Sequence, residues 1–225
     1  MLKEKVKLVE YTKSQDRANC ITHAIGAVMG LVALIIGTVY ASHTSNVRII
    51  AAAVIYGMSI IILFSASATY HGLPAGTAKK YARVIDHSMI FLIIAGTATP
   101  CSLVVLYECG RGYCWLVFSI AWLSCIVGML SAVLFFEKTK ALRMALLIGE
   151  SLVMICSVLP IRNRFDTGAY GLLWVGCIIL FIGAILYGIG KKNPIFHTVF
   201  HVFVLVGVGV HLYAIITHVF MPLAS

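Results

Sequence analysis

The sequence predicts an all-α membrane protein: one seven-transmembrane helix bundle with its N-terminus cytoplasmic and its C-terminus outside. Three observations carry that reading. First, 61% of the 225 residues are hydrophobic and only 11% are charged, a balance foreign to ordinary soluble domains. Second, seven windows of nearly uncharged residues are each long enough to cross a hydrocarbon core of about 30 Å at about 1.5 Å per residue. Third, the basic residues are unevenly placed. With the N-terminus inside, the inner segments hold Lys3, Lys5, Lys7, Lys13, Arg17, Lys79, Lys80, Arg83, Lys138, Lys140, Arg143, Lys191 and Lys192. That is 13 of 17, leaving Arg48, Arg111, Arg162 and Arg164 outside. This is the positive-inside pattern. The net charge of +9 therefore reports topology and contact with anionic lipid, and nucleic acid is excluded as a partner.

Lipid cannot satisfy free backbone groups, so each window must be a helix. The windows are 21–40, 47–70, 84–107, 113–136, 141–160, 170–189 and 194–219. Residues 1–18 are expected to be a short, partly amphipathic cytoplasmic lead and 19–225 a single transmembrane domain, since the connections leave no room for a second one. No cleaved signal peptide is expected, because the first apolar run follows a polar lead and is too long for a signal's hydrophobic region.

Taken in order, the first helix carries Asn19 and His23 near its inner end, then Gly26-x-x-x-Gly30, a close-packing face inside the bundle. The second ends in "SASATYHG", so Ser67 and, one turn later, His71 arrive at the inner boundary. The third opens with "IDHSMIF", which brings Asp86 to the same boundary, either to cap the helix at its positive dipole end or to serve a site. Pro100 should bend it. Of seven cysteines, only Cys109 and Cys114, in the outer loop "YECGRGYC" before the fourth helix, are placed for a disulfide. The alternative is that all seven are scattered small apolar residues. The fifth helix carries Glu150 at midplane depth. Two readings stay open for it: a polar cavity or proton relay with His211, or a protonated glutamate held between helices. The sixth helix is read on its apolarity.

The seventh, "NPIFHTVFHVFVLVGVGVHLYAIITH", starts with Asn193 as N-cap and Pro194 in the first helical position. At about 100° per residue, His197, His201, His211 and His218 share one face. Depth separates them. His211 lies about 21 Å beyond His197 along the axis, too far to share an ion, whereas His197 and His201 are one turn apart and can ligate together. The alternative for that pair is two interfacial histidines bonded to neighbouring helices. Alternation of the spans brings His71, Asp86, Ser67, His23 and Asn19 to the same inner depth. Ionisable groups in a bilayer are costly and face a bundle interior. Three neutral imidazoles plus a water form the ligand set of a catalytic zinc site, and a nearby carboxylate such as Asp86 can accept the water's proton. Ser67 either bonds the water, a ligand or a substrate oxygen, or back-bonds within its own helix.

At these residues the chain resembles the haemolysin III branch of the progestin and adipoQ receptor family. The resemblance spans the seven-helix region through "NCITHAIG", Ser67-x-x-x-His71, "DHSMIFLIIAGTATP" and "HTVFHVFVLVGVGVHLYA". It implies zinc as cofactor with His71, His197 and His201 as ligands, Asp86 holding the water and Ser67 as the motif serine. It further implies a multi-pass protein of the bacterial plasma membrane, acting as a zinc-dependent hydrolase on amide or ester bonds of a ceramide-like or other acyl lipid. The alternative is a pore-forming haemolysin or a ligand receptor in which the zinc is structural. Receptor members usually have a glutamate a few residues before the helix 1 asparagine; here Asp16 lies three before Asn19.

Overall fold

The computed structural model describes residues 6–158, 167–190 and 193–224. Among them the only regular structure is helical, with no strand, in seven long helices: α1 Lys13–Ser42, α2 Val47–Gly72, α3 Thr77–Cys109, α4 Arg111–Phe135, α5 Lys140–Val158, α6 Thr167–Gly190 and α7 Pro194–Leu223. Six of these (α1 to α4, α6 and α7) are long and apolar enough to cross a membrane, judged over the described residues. The remaining predicted span, 141–160, coincides with α5 up to Val158 and then passes outside the described residues.

Consecutive helices pack side by side from α1 to α5, α6 lies against α7, and α7 returns to α1. The face that each helix buries is the reverse of a soluble amphipathic helix. In α1 the buried positions are Asn19, His23, Gly26, Gly30, Ala33, Gly37 and Ala41, all small or polar. The large side chains Ile21, Ile25, Val28, Leu31, Val32, Ile35 and Val39 point outward. In water that surface would be an extended apolar patch; in lipid it matches its solvent, and association rests on close backbone packing. The chain is a multi-pass integral membrane protein.

Gly26 and Gly30 form the expected packing face within the bundle. A Cβ on Gly26 would run into the Phe64 ring, and one on Gly30 would lie 2.8 Å from both Ile60 Cγ2 and Ile61 N. That is below any normal contact, so α1 and α2 touch there only because both residues lack a side chain.

Helix ends depart from the hydropathy windows. α1 starts at Lys13, eight residues before its window, because Thr12 makes a capping box: its Oγ1 accepts from Gln15 N–H at 3.2 Å and its own N–H donates to Gln15 Oε1 at 2.9 Å. Residues 13–18 are thus the first turns of a helix, and the lead is the segment before them. α3 likewise starts at Thr77. Asp86 is therefore nine residues inside it, which removes the capping role for that carboxylate. Asn193 does cap α7, accepting from Ile195 N–H at 3.2 Å, with Pro194 opening the helix. After Pro100, α3 passes through a π-helical stretch, Cys101–Leu106, and regains α form at Tyr107. Proline has no N–H to donate, and the ladder re-registers immediately after it. Cys109 and Cys114 are free thiols, the first exposed and the second buried.

Candidate metal centre

Residues 6–12 run without regular structure across the end of the bundle where α1, α3 and α7 start and α2 stops. Val6 is buried there among Val84, Ala132 and Phe136. Beneath this strap, three histidines meet. His71 is the penultimate residue of α2, and His197 and His201 occupy the first two turns of α7. All three are buried, and one ring nitrogen from each lies within 4.8 Å of the others. The expected trio is thus brought together by two helices that are distant in sequence.

The hydrogen bonds around the cluster decide which nitrogens face inward. Nε2 of His197 and Nε2 of His201 are 2.9 Å apart. Two imidazole nitrogens at that distance share a proton or share a cation. On its other edge, His201 Nδ1 lies 2.8 Å from His23 Nε2, both buried. His71 Nδ1 is 2.8 Å from Asp16 Oδ1, and its Nε2 is buried with no hydrogen-bond partner. A buried unpartnered nitrogen costs about 1–3 kcal/mol, so this one is placed for something other than the protein's own groups. Two Zn–N bonds of about 2.0–2.1 Å span at most about 4.2 Å. Small side-chain rotations therefore bring the three nitrogens into a ligating set. The donor set fits a metal ion: three imidazoles, each with its outer nitrogen or ring face supported by the protein.

That support comes largely from residues that hydropathy windows pass over. The Tyr11 ring lies 5.3 Å from the His71 ring and 5.2 Å from that of His197, centroid to centroid. Burial, with Tyr70 as a lesser cause, pushes the Tyr11 phenol well above its ordinary pKa, so it stays protonated. The Tyr187 ring of α6 lies at a tilt against those of His197 and Phe200, with centroids 5.8 Å and 5.3 Å away. Lys79 of α3, itself buried, donates to Asp16 Oδ2 at 2.6 Å. Asp16, Asn19 and His23 recur at intervals of three and four residues. Recognising the Thr12 cap would have placed them on one inward face of α1.

Asp86 and Ser67 are neighbours across the α2–α3 contact. Asp86 is half-buried on α3, within electrostatic reach of Ser67, Arg83 and the Tyr11, Tyr70 and Tyr187 phenols. It is not among the groups whose ligand atoms converge. Ser67 Oγ is buried facing the Asp86 carboxylate and makes no back-bond within its own helix. Farther along the bundle, His211 Nε2 donates to Leu173 O at 3.0 Å, with Cys177 Sγ at 3.8 Å. Neither oxygen of Glu150 has a hydrogen-bond partner, so no direct Glu150–His211 relay is formed.

A family model described as Haemolysin-III related matches residues 11–212. The chain belongs to the haemolysin III family. That family is part of the progestin and adipoQ receptor family, as the sequence motifs imply. Among haemolysin III relatives, Hemolysin-3 of Bacillus cereus is 30% identical over 227 residues, covering all of both chains. The Hemolysin-3 homolog of Bacillus subtilis (strain 168) is 31% identical over 197 residues, 88% of this chain and 91% of that one. The human Monocyte to macrophage differentiation factor is 26% identical over 214 residues, covering 89% and 83%. No solved structure matches the chain.

Proposed function

We propose that this haemolysin III protein is a zinc-dependent hydrolase of amide or ester bonds in membrane lipids, with its site at the cytoplasmic face of the bacterial plasma membrane. The observation that carries the reading is the buried convergence of His71, His197 and His201 at one end of an apolar bundle. The uneven placement of Lys and Arg supports seven spans with the N-terminus and this end inside.

In this reading His71, His197 and His201 hold the ion. Zinc bound there supplies two things: a water acidified to a pKa of about 7 and a polarised substrate carbonyl. With the ion held there, Asp86 would take the proton as the water's oxygen bonds to the carbonyl carbon, and would return it to the leaving amine or alcohol as the C–N or C–O bond breaks. Ser67 orients the water or the substrate oxygen. The outward-facing Ile, Leu and Val of the helices select substrates already dissolved in the bilayer.

The test is elemental analysis of purified wild-type protein and of His71→Ala, His197→Ala and Asp86→Ala, followed by a fatty-acid release assay on ceramides, esters and phospholipids. About one zinc per wild-type chain, lost in both histidine variants and kept in Asp86→Ala, is expected. Folded wild type without stoichiometric metal rules out the enzyme. A second reading, a lytic protein with structural zinc, is favoured by the name of the Bacillus cereus relative. It requires red-cell lysis that persists in Asp86→Ala.

A further inference from the structure

We propose that Asp16 is a positioning residue of the metal site: its carboxylate, anchored by Lys79, holds His71 in the one tautomer that can ligate. The proposal rests on the zinc reading above and adds to it a residue outside the ligand set.

His71 has two ring nitrogens with opposite tasks. Nδ1 faces α1, 2.8 Å from Asp16 Oδ1; Nε2 is buried without a hydrogen-bond partner. A carboxylate is an acceptor only. At 2.8 Å it therefore requires a proton on Nδ1, since the other tautomer would set two lone pairs against each other. With Nδ1 protonated, Nε2 carries the lone pair, as a metal ligand must. Asn19 competes for the same nitrogen, because its Nδ2 lies 3.4 Å from His71 Nδ1 and could donate to it. The charge-assisted contact is shorter by 0.6 Å (3.4 against 2.8), and such bonds are about twice as strong as neutral ones. Asp16 wins.

Lys79 keeps the carboxylate in place. Its Nζ donates to the second oxygen, Oδ2, at 2.6 Å, and its side chain is 6% exposed against 23% for Asp16. The ammonium also sits 5.5 Å over the Tyr70 ring, next to His71. The α1 carboxylate is thus pinned between a ligand on α2 and a cation on α3. Outer-shell carboxylates of this kind orient metal-bound histidines, and losing one weakens metal binding about 10–100-fold.

The experiment measures zinc affinity, not turnover. Purified metal-free wild type, Asp16→Asn, Asp16→Glu and Lys79→Met are titrated with zinc against a chelator of known affinity, and circular dichroism monitors the fold. The asparagine amide can turn an N–H towards Nδ1 and select the wrong tautomer. Asp16→Asn should therefore raise the zinc dissociation constant about 10–100-fold; Lys79→Met, which removes the anchor but leaves the carboxylate, should raise it by less, and Asp16→Glu should bind zinc close to wild type. Lys79→Met alone, compared with the Asp16→Asn/Lys79→Met pair, separates the carboxylate from an unpaired buried cation and serves also if Asp16→Asn does not fold. A folded Asp16→Asn that binds zinc like wild type overturns the proposal. So does a Lys79→Met loss as large as that of Asp16→Asn, which would make Asp16 only a strut between α1 and α3. Wild type that binds no zinc overturns the metal reading and this proposal together. Zinc bound without lipid hydrolysis overturns the enzyme alone.

Discussion

At the scale of single residues, the proposed roles of Asp86 and of the histidine trio divide two kinds of loss. His71, His197 and His201 have converging nitrogens, so in the zinc reading Ala at any of them should remove a ligand. Asp86 is outside that converging set, within electrostatic reach of Ser67 and three phenols. Asp86→Ala should keep its zinc and lose hydrolysis by about 10²–10⁴-fold, the usual contribution of a general base; metal content and fatty-acid release measured on one preparation check both. The histidine trio itself was legible in the sequence. Their spacing on α7 and the alternation of spans fix depth and face without tertiary detail. The supporting groups were not. Whether Asp16 reaches His71, or Tyr11 its two rings, depends on how α1 is capped and how the strap crosses the bundle, and neither leaves a periodic signal.

At the scale of helices, α1 shows what the bilayer asks of an element. Its inward face is small and polar and its outward face is large and apolar, so shape complementarity holds it to α2. Gly26→Leu should force the Phe64 ring from its place and cost about 1–3 kcal/mol, read as a lower unfolding temperature in detergent. Val28→Leu, on the lipid face and 63% exposed, should leave that temperature unchanged. Asn193→Ala removes the α7 cap and should cost about 1 kcal/mol, loosening the turn that presents His197. Hydropathy located the middle of every described helix and missed several ends. A helix continues through polar residues such as Lys13–Asn19 wherever a cap satisfies its first N–H groups, which apolarity does not register. The π-helical stretch after Pro100 was foreseen only as a bend.

At the scale of the molecule, orientation has a direct test. Cys109 is exposed at the end of the bundle away from the histidines, and Cys114 is buried. A membrane-impermeant thiol reagent applied to intact cells should modify Cys109 and leave Cys109→Ser unmodified; protection of Cys109 in cells and its labelling in lysed membranes would reverse the topology. The strap at the other end has an effect of a different kind. Val6 is seated between α3 and α4, and Tyr11 lies against two histidine rings. In the zinc reading, exchange with the aqueous side should wait for those few residues to lift. Release of zinc to a chelator should then be gated, with a rate set by strap opening and independent of chelator concentration once the chelator is in excess. A tag fused to the first residue pulls on the gate itself, so a preparation tagged there should exchange metal faster than one tagged at Ser225.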